Sequence, residues 1–251
     1  MSQKLTVIIA TLDEGVPYKK TVESCLSQIG LDIEVVVFVK DNLHSLQNPS
    51  VSMQSINGVR ITTIRGHDLG IADAWNTAIR YSTGDHLCFL GAGDFFYSNT
   101  SVSDIFSLAT KLNKINCVFF GEQLVRMTDI YLIPWSKNKY FDPISLKNGM
   151  VIPHASSFWP RELWVNRIFD ASFKISLDYE FTLRVMGVVD FFKLDVIVSV
   201  IEPGGLSNSP KKMLQVIAED IRARKINGLP QNKYSILNIK RTLRWILGRF
   251  A

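Results

Sequence analysis

Five aspartates stand where strands or glycine turns of this chain are predicted to end: Asp13, Asp41, Asp68, Asp73 and Asp94. Carboxylates repel phosphate. Gathered together, they hold a phosphate-bearing ligand through a cation, or hold its ribose and base through hydrogen bonds. Asp94 closes Gly91-Ala-Gly-Asp94, directly after the apolar run at 87–90, and the small residues before it, Gly93 among them, let a bulky anion approach the backbone. Upstream, Asp68-Leu-Gly-Ile-Ala-Asp-Ala-Trp-Asn76 reads as a glycine turn opening a short helix, and Thr83-Gly-Asp-His86 as a second turn. Taken singly, each acid reads as a helix cap or a solvated loop residue. The set, at one edge of one sheet, points to a nucleotide site with phosphate held through a metal. Neither GxGxxG after the first strand nor GxxxxGK[ST] occurs, which removes the Rossmann dinucleotide and P-loop readings.

Placing those acids on one edge requires parallel strands. Residues 5–10 are an apolar run of strand length, and Pro17 can open a helix carrying Val22, Cys25, Leu26 and Ile29 at helical spacing. Residues 33–39 are too apolar to be half-exposed, so they belong inside a sheet covered on both faces. Residues 59–64 predict a third strand, and Ile71, Ala74, Trp75, Ala78 and Ile79 the stripe of a helix. A strand at 87–90 follows, then a helix capped by Asn99 or Thr100, then a strand at 117–120. This alternation predicts an α/β fold with a doubly wound, mostly parallel sheet. Beyond residue 121 the rhythm loosens through Pro134, Pro143, Gly149 and Pro153, as in a half where an enzyme builds its second substrate site. A helix is predicted at 175–186, a strand at 195–200 and helical structure from 211 onward.

At 251 residues the chain suits one large α/β domain with an appendage. Its 47% apolar and 20% charged residues argue against disorder. Cys25, Cys88 and Cys117 lie in apolar stretches without CxxC spacing and read as buried thiols in a reducing compartment. A strand begins within a few residues of Met1, which predicts no signal peptide, and no run reaches the roughly 18 apolar residues of a membrane span. The expected placement is cytoplasmic. The net charge of +5 is unevenly distributed: eight basic residues and no acid follow Asp220. That asymmetry favours an anionic surface.

The blocks together resemble a family 2 glycosyltransferase of the GT-A fold, the type that builds bacterial surface polysaccharides. Ala10-Thr-Leu-Asp13 is similar to that family's Pro-Thr-Tyr-Asn segment, and 68–76 to its Asp-Lys-Gly-Ile-Tyr-Asp-Ala-Met-Asn block. Gly91-Ala-Gly-Asp94 resembles its DxD-type motif, His154-Ala-Ser156 its His-Gln-Ser, Ser176-Leu-Asp-Tyr-Glu-Phe181 its Ser-Ala-Asp-Tyr-Glu-Phe, and Gly204-Gly-Leu-Ser207 its Gly-Gly-Ile-Ser. The resemblance implies a Rossmann-like α/β/α sandwich over 1–207, with a donor half at 1–120 and an acceptor and base half at 121–207. A basic helical extension at 208–251 follows. Thr11, Asp13, Asp41, Asp68, Asp73, Asn76 and Gly93 would contact a nucleotide-diphosphate sugar, taken as a UDP-sugar, with Asp73 facing it rather than Asp68. Asp41 would bind base or ribose, beside Lys40 where relatives often carry an acid. Asp94 would hold Mn2+ or Mg2+, with Gly91 and Gly93 in place of companion acids. His154 would complete the metal shell or touch the diphosphate, or be structural.

Asp178 is the expected catalytic base. It shares a predicted helical face with Phe181, Thr182 and Val185, so it points inward, and a carboxylate beside aromatics has a raised pKa suited to taking a hydroxyl proton. Glu180 reads instead as half of a surface ion pair with Arg184. The reaction implied is inverting transfer to a hydroxyl of a glycan or lipid-linked oligosaccharide. The alternatives are a non-catalytic binding relative with a degenerate metal motif, and a sugar nucleotidyltransferase. In residues 233–251, Ile236, Ile239, Leu243, Ile246, Leu247 and Phe250 form one stripe flanked by Lys240 and Arg244. That suits a helix lying on an anionic bilayer at the inner face of the cytoplasmic membrane, or packed on its own domain or on another subunit of a homo-oligomer. Nucleic acid is not an expected partner, since the basic cluster lacks interleaved exposed aromatics.

Overall fold

The computed structural model describes residues 3–45, 48–128, 130–136, 140–202 and 212–230. The predicted Gly204–Ser207 loop and the amphipathic stripe at 233–251 lie outside the described residues. In chain order the elements are β1 (Lys4–Thr11), α1 (Val16–Leu26), β2 (Asp32–Lys40), β3 (Ser50–Ile56), β4 (Val59–Gly66), α2 (Ile71–Tyr81), β5 (His86–Gly91), β6 (Phe95–Phe96), α3 (Ser101–Lys111), β7 (Val118–Arg126), β8 (Leu132–Pro134), β9 (Ser157–Pro160), α4 (Leu177–Val185), β10 (Phe191–Ile201) and α5 (Met213–Ile226). The sheet order is β3-β4-β2-β1-β5-β9-β7-β10-β6, with β8 beside β7. β1 pairs parallel with β2 and β5, β2 with β4, and β7 with β10, whereas β3 pairs antiparallel with β4. Both faces are covered. Ile8, Val36 and Phe38 pack with Trp75 and Ala78 of α2 and Phe181 of α4, while Val7, Ile9 and Val37 pack with Val22 and Cys25 of α1 and Ile105 and Phe106 of α3.

Four strands, β3, β6, β8 and β9, are absent from the predicted pattern. β3 is exposed along its whole length, carries no apolar run, and its brief alternation at Val51 and Met53 stops at Ser55. It exists because Asn57 and Gly58, with φ of 52° and 81°, form the tight turn that folds it back on β4. β6 and β9 have two and four residues, too few for any periodicity, and both pair antiparallel. The expected division between halves at 120 falls inside β7, so one sheet carries both. Cys25 and Cys88 are buried as expected, whereas Cys117 is only half-buried.

The edge opposite the strand-end acids is locked by Glu34. Its buried carboxylate accepts from the hydroxyls of Thr6 (2.6 Å) and Thr83 (2.7 Å), the amide of Gly84 (3.2 Å) and the amide of Thr83, and it pairs with Lys4 and Arg60. The Thr83-Gly84 turn is therefore a structural clamp. Burial pushes the Glu34 carboxyl up, but the donors from Thr6, Thr83 and Arg60 outweigh it and hold the pKa at about 2, against an ordinary 4.5. A depressed folded-state pKa contributes stability above the unfolded value and loses it as pH falls toward the folded one. The shift corresponds to about 3 kcal/mol, present above pH 4.5 and lost between there and pH 2. Glu34→Ala is expected to lower stability by about 3 kcal/mol at neutral pH and to flatten the acid limb, as read by urea denaturation across that range.

Candidate active site

The parallel registers bring the strand-end acids to one edge. Thr11 pairs with Val39, Lys40 with Gly66, and Ala10 with Gly91, so the segments after β1, β2, β4 and β5 emerge side by side. Thr11 is buried and donates its hydroxyl to the Asp13 carbonyl (2.5 Å); Asp13 is exposed and accepts from the Gly15 amide (2.8 Å). Asp41 accepts from the Leu43 amide (2.8 Å) and lies 3.0 Å from His44 Nδ1, and the Leu43 amide holds its carboxyl below the usual range. Asp68 is buried, accepts from the Gly70 amide (2.8 Å) and pairs with Lys40 Nζ (3.3 Å). Lys40 thus neutralises an acid at the wall of this edge. Asp73 is half-buried in the first turn of α2 and reaches back to accept the Leu69 amide at 3.1 Å. One oxygen of each of these two acids therefore shapes the 68–73 turn.

Asp94 stands at the end of β5 between α1 and the end of β10. Its carboxylate accepts from the amides of Gly91 (3.1 Å) and Glu202 (3.3 Å). Burial pushes its pKa to about 6 against those two amides, with the Glu202 carboxylate adding to the rise. Glu202 pairs with Lys20 (2.7 Å) and Arg126 (3.1 Å), and both cations lie over the Phe95 ring, at 4.1 and 5.0 Å from its centroid. Gly93 holds φ at +112°, a conformation that disfavours any side chain, and donates its amide to the Thr21 hydroxyl (2.8 Å). Lys20, Arg126 and Glu202 were not among the sequence-level candidates. They come from three distant segments: the pairing of β7 with β10 sets Val125 beside Ile201, just before Arg126 and Glu202, and the pairing of β6 with β10 brings that corner to the segment carrying Asp94.

Asp178 lies in the first turn of α4, half-buried, with its Oδ1 accepting the Tyr179 amide (2.8 Å). Burial raises its pKa to about 6; the Tyr179 amide opposes the rise and the Asp220 carboxylate reinforces it. Phe181, Thr182 and Val185 are buried as expected. The helix is tied to the donor edge through the preceding segment, where Lys174 Nζ donates to the Leu69 carbonyl (2.9 Å). Among the described residues no hydrogen bond or ion pair joins Asp178 to Asp94.

Three expectations need correction. Asn76 is buried and both ends of its amide bind the Phe169 backbone, Nδ2 to the carbonyl and Oδ1 from the amide, each at 2.9 Å, so it anchors a loop to α2. Glu180 does pair with Arg184, at 3.0 and 2.9 Å, but the glutamate is buried rather than on the surface. His154 stacks against Trp75 (5.0 Å) and Phe89 (5.1 Å), with both ring nitrogens enclosed, and burial lowers its pKa to about 3. An imidazole shut among aromatic rings is placed for packing rather than ligation. A metal shell would therefore start from Asp94. Carboxylates suit Mg2+ or Mn2+, which at nucleotide sites take one or two of them and complete the shell with phosphate and water. Asp94 with Glu202 beside it fits that demand, and among the described residues no group of three potential ligands converges. A cavity of about 30 Å³ between β7 and the 135–153 segment, lined by Trp135, Tyr140 and Phe141, includes none of these acids and is too small for a sugar.

The comparisons agree with this fold. The model of "Glycosyl transferase family 2" matches residues 6–159, more than half of the chain. A PGL/p-HBAD biosynthesis glycosyltransferase from Mycobacterium bovis (strain BCG / Pasteur 1173P2) is 24% identical over 208 residues, 81% of this chain and 79% of that protein. The protein of the same description in Mycobacterium tuberculosis (strain ATCC 25177 / H37Ra) matches with the same figures. Among solved structures, S. aureus TarS 1-349 in complex with UDP superposes with a TM-score of 0.65 at 16% identity, covering 96% of this chain and 71% of that one. The mannosyltransferase PcManGT from Pyrobaculum calidifontis, in complex with GDP-Man and Mn2+, gives 0.59 at 15% identity, with coverages of 88% and 65%.

Proposed function

Because the chain belongs to glycosyl transferase family 2, we propose that it is an inverting transferase that moves a sugar from a nucleoside-diphosphate donor, UDP-linked, to a hydroxyl of a glycan or lipid-linked acceptor. The observation that carries this reading is the register that brings the acid-bearing segments after β1, β2, β4 and β5 to one sheet edge, with the segment entering α4 and Asp178 tied to that edge through Lys174. Asp178 takes the proton of the acceptor hydroxyl as its oxygen attacks the anomeric carbon in line, and the nucleoside diphosphate leaves on the opposite face. Thr11, Asp13, Asp41, Asp68 and Asp73 form the wall for base and ribose. Gly93 lets the diphosphate approach the backbone. Asp94, with Glu202, would hold Mn2+ or Mg2+, which when bound neutralises charge on the departing diphosphate. Lys20 and Arg126 add positive charge to the same corner.

The UDP and GDP-Man of the structural relatives support a nucleotide donor here. Gly91 and Gly93 in place of companion acids are what suggest the alternative, a non-catalytic relative, which would bind a nucleoside diphosphate without turning over its sugar donor. Among the described residues no helix is long and apolar enough to cross a membrane. A role for residues 233–251 at a lipid surface, or between subunits, is part of the same proposal and suits a lipid-linked acceptor. Following the anomeric carbon of a labelled donor tests the reading: inversion supports it, and retention overturns it.

A further inference from the structure

We propose that Glu219, on α5, is a positioning residue that fixes the chain segment delivering Asp178 to the cleft. This rests on Asp178 being the base. The Glu219 carboxylate is buried and accepts three consecutive backbone amides, Lys174 (3.1 Å), Ile175 (2.8 Å) and Ser176 (2.9 Å). Three successive amides converging on one anion form a nest, here filled by a side chain from an element more than forty residues later. Gln215 Nε2 braces the same carboxylate at 2.9 Å. Ser176, at the N-cap of α4, makes no side-chain capping bond, so the entry to the helix is held from α5 rather than locally. Asp178 follows two residues on.

The same segment grips the donor edge on its other side, through Lys174 Nζ on the carbonyls of Leu69 and Ala171, both at 2.9 Å. Glu219 therefore sets the base relative to the glycine turn of the donor edge. Its carboxyl is held below the usual range, with burial opposing and the Ser176, Ile175 and Lys174 amides and Gln215 prevailing, as an anion that stays charged while it holds its amides. The next residue, Asp220, adds to the rise that burial produces at Asp178. α5 thus governs the placement of Asp178, although it lies outside the span of the family match.

The test compares Glu219→Ala and Glu219→Gln in the full chain, reading nucleoside-diphosphate release from a UDP-sugar and UDP affinity. Removing the anchor is expected to lower kcat by about 100-fold, the scale of a 1 Å misplacement of a reacting group. The donor KM and UDP affinity should stay within about twofold, since the strand-end wall is untouched. Glu219→Gln keeps one acceptor oxygen and should recover part of the loss. In an Asp178→Asn background, Glu219→Gln should cost nothing further. A wild-type kcat in both variants, a KM rising in step with the loss, or an undiminished extra loss in the Asp178→Asn background would each overturn the proposal. Full activity in Asp178→Asn alone would remove the base itself and this proposal with it, an outcome distinguishable from a failure of positioning.

Discussion

Asp178→Asn is expected to lower kcat by about 10²- to 10⁴-fold, the range general-base removal spans, while UDP binding and thermal stability hold. The two side chains have the same shape, and the amide oxygen of asparagine can still accept the Tyr179 N–H that Asp178 holds at 2.8 Å. Folding should gain slightly, because the substitution removes a carboxylate that burial and Asp220 already disfavour in its charged form. The pH profile carries the sharper signature. A carboxyl with pKa raised to about 6 is protonated below that pH and cannot take a hydroxyl proton, so kcat of the wild type should fall about tenfold per unit below pH 6. Asp94 also titrates at about 6, so the comparison is made at saturating Mn2+, which competes with its proton; there the residual rate of Asp178→Asn should lack the limb. A variant that keeps both the rate and the limb assigns the base elsewhere.

Asp94→Asn is expected to lower kcat/KM by about 100-fold or more and to raise the Mn2+ concentration needed for half-maximal activity. Asparagine has a single acceptor oxygen, so it keeps either the Gly91 amide, now on Oδ2, or the Glu202 amide, now on Oδ1, and loses the other together with the negative charge. Gly91 and Gly93 offer no carboxylate in its place, and Glu202, the neighbouring acid after β10, is already paired with Lys20 and Arg126. Lys20 and Arg126 remain at the corner, paired with Glu202, and supply the residual charge neutralisation. Titrating Mn2+ against turnover in both proteins separates the two contributions. An unchanged half-saturation would place the metal away from Asp94.

The buried strands were legible because burial on both faces leaves an apolar run, as in the 33–39 segment of β2, and those strands carried the acids to one edge. β3 was illegible for the opposite reason: an exposed strand answers to its Asn57-Gly58 turn and not to a hydrophobic pattern. Within the site, Asp94 and Asp178 stood out by motif and position, and the structure adds the burial that raises both. Asn76 and His154 misled because a polar residue in a site motif looks the same in sequence whether it meets a ligand or ties down a loop. Only the two bonds to Phe169, and the rings of Trp75 and Phe89, distinguish these cases. Glu219 had no sequence signal at all. Its partners are backbone amides at 174–176, which no side-chain pattern encodes.

The central claim is in-line transfer from a nucleoside-diphosphate sugar with Asp178 as base, and the stereochemistry of the first-formed product tests it most directly. A donor labelled with 13C at its anomeric carbon, followed by NMR from the first turnover in the presence of Mn2+, should yield product of opposite anomeric configuration before any mutarotation. Product that retains the donor configuration would contradict the single displacement and, with it, the role given to Asp178.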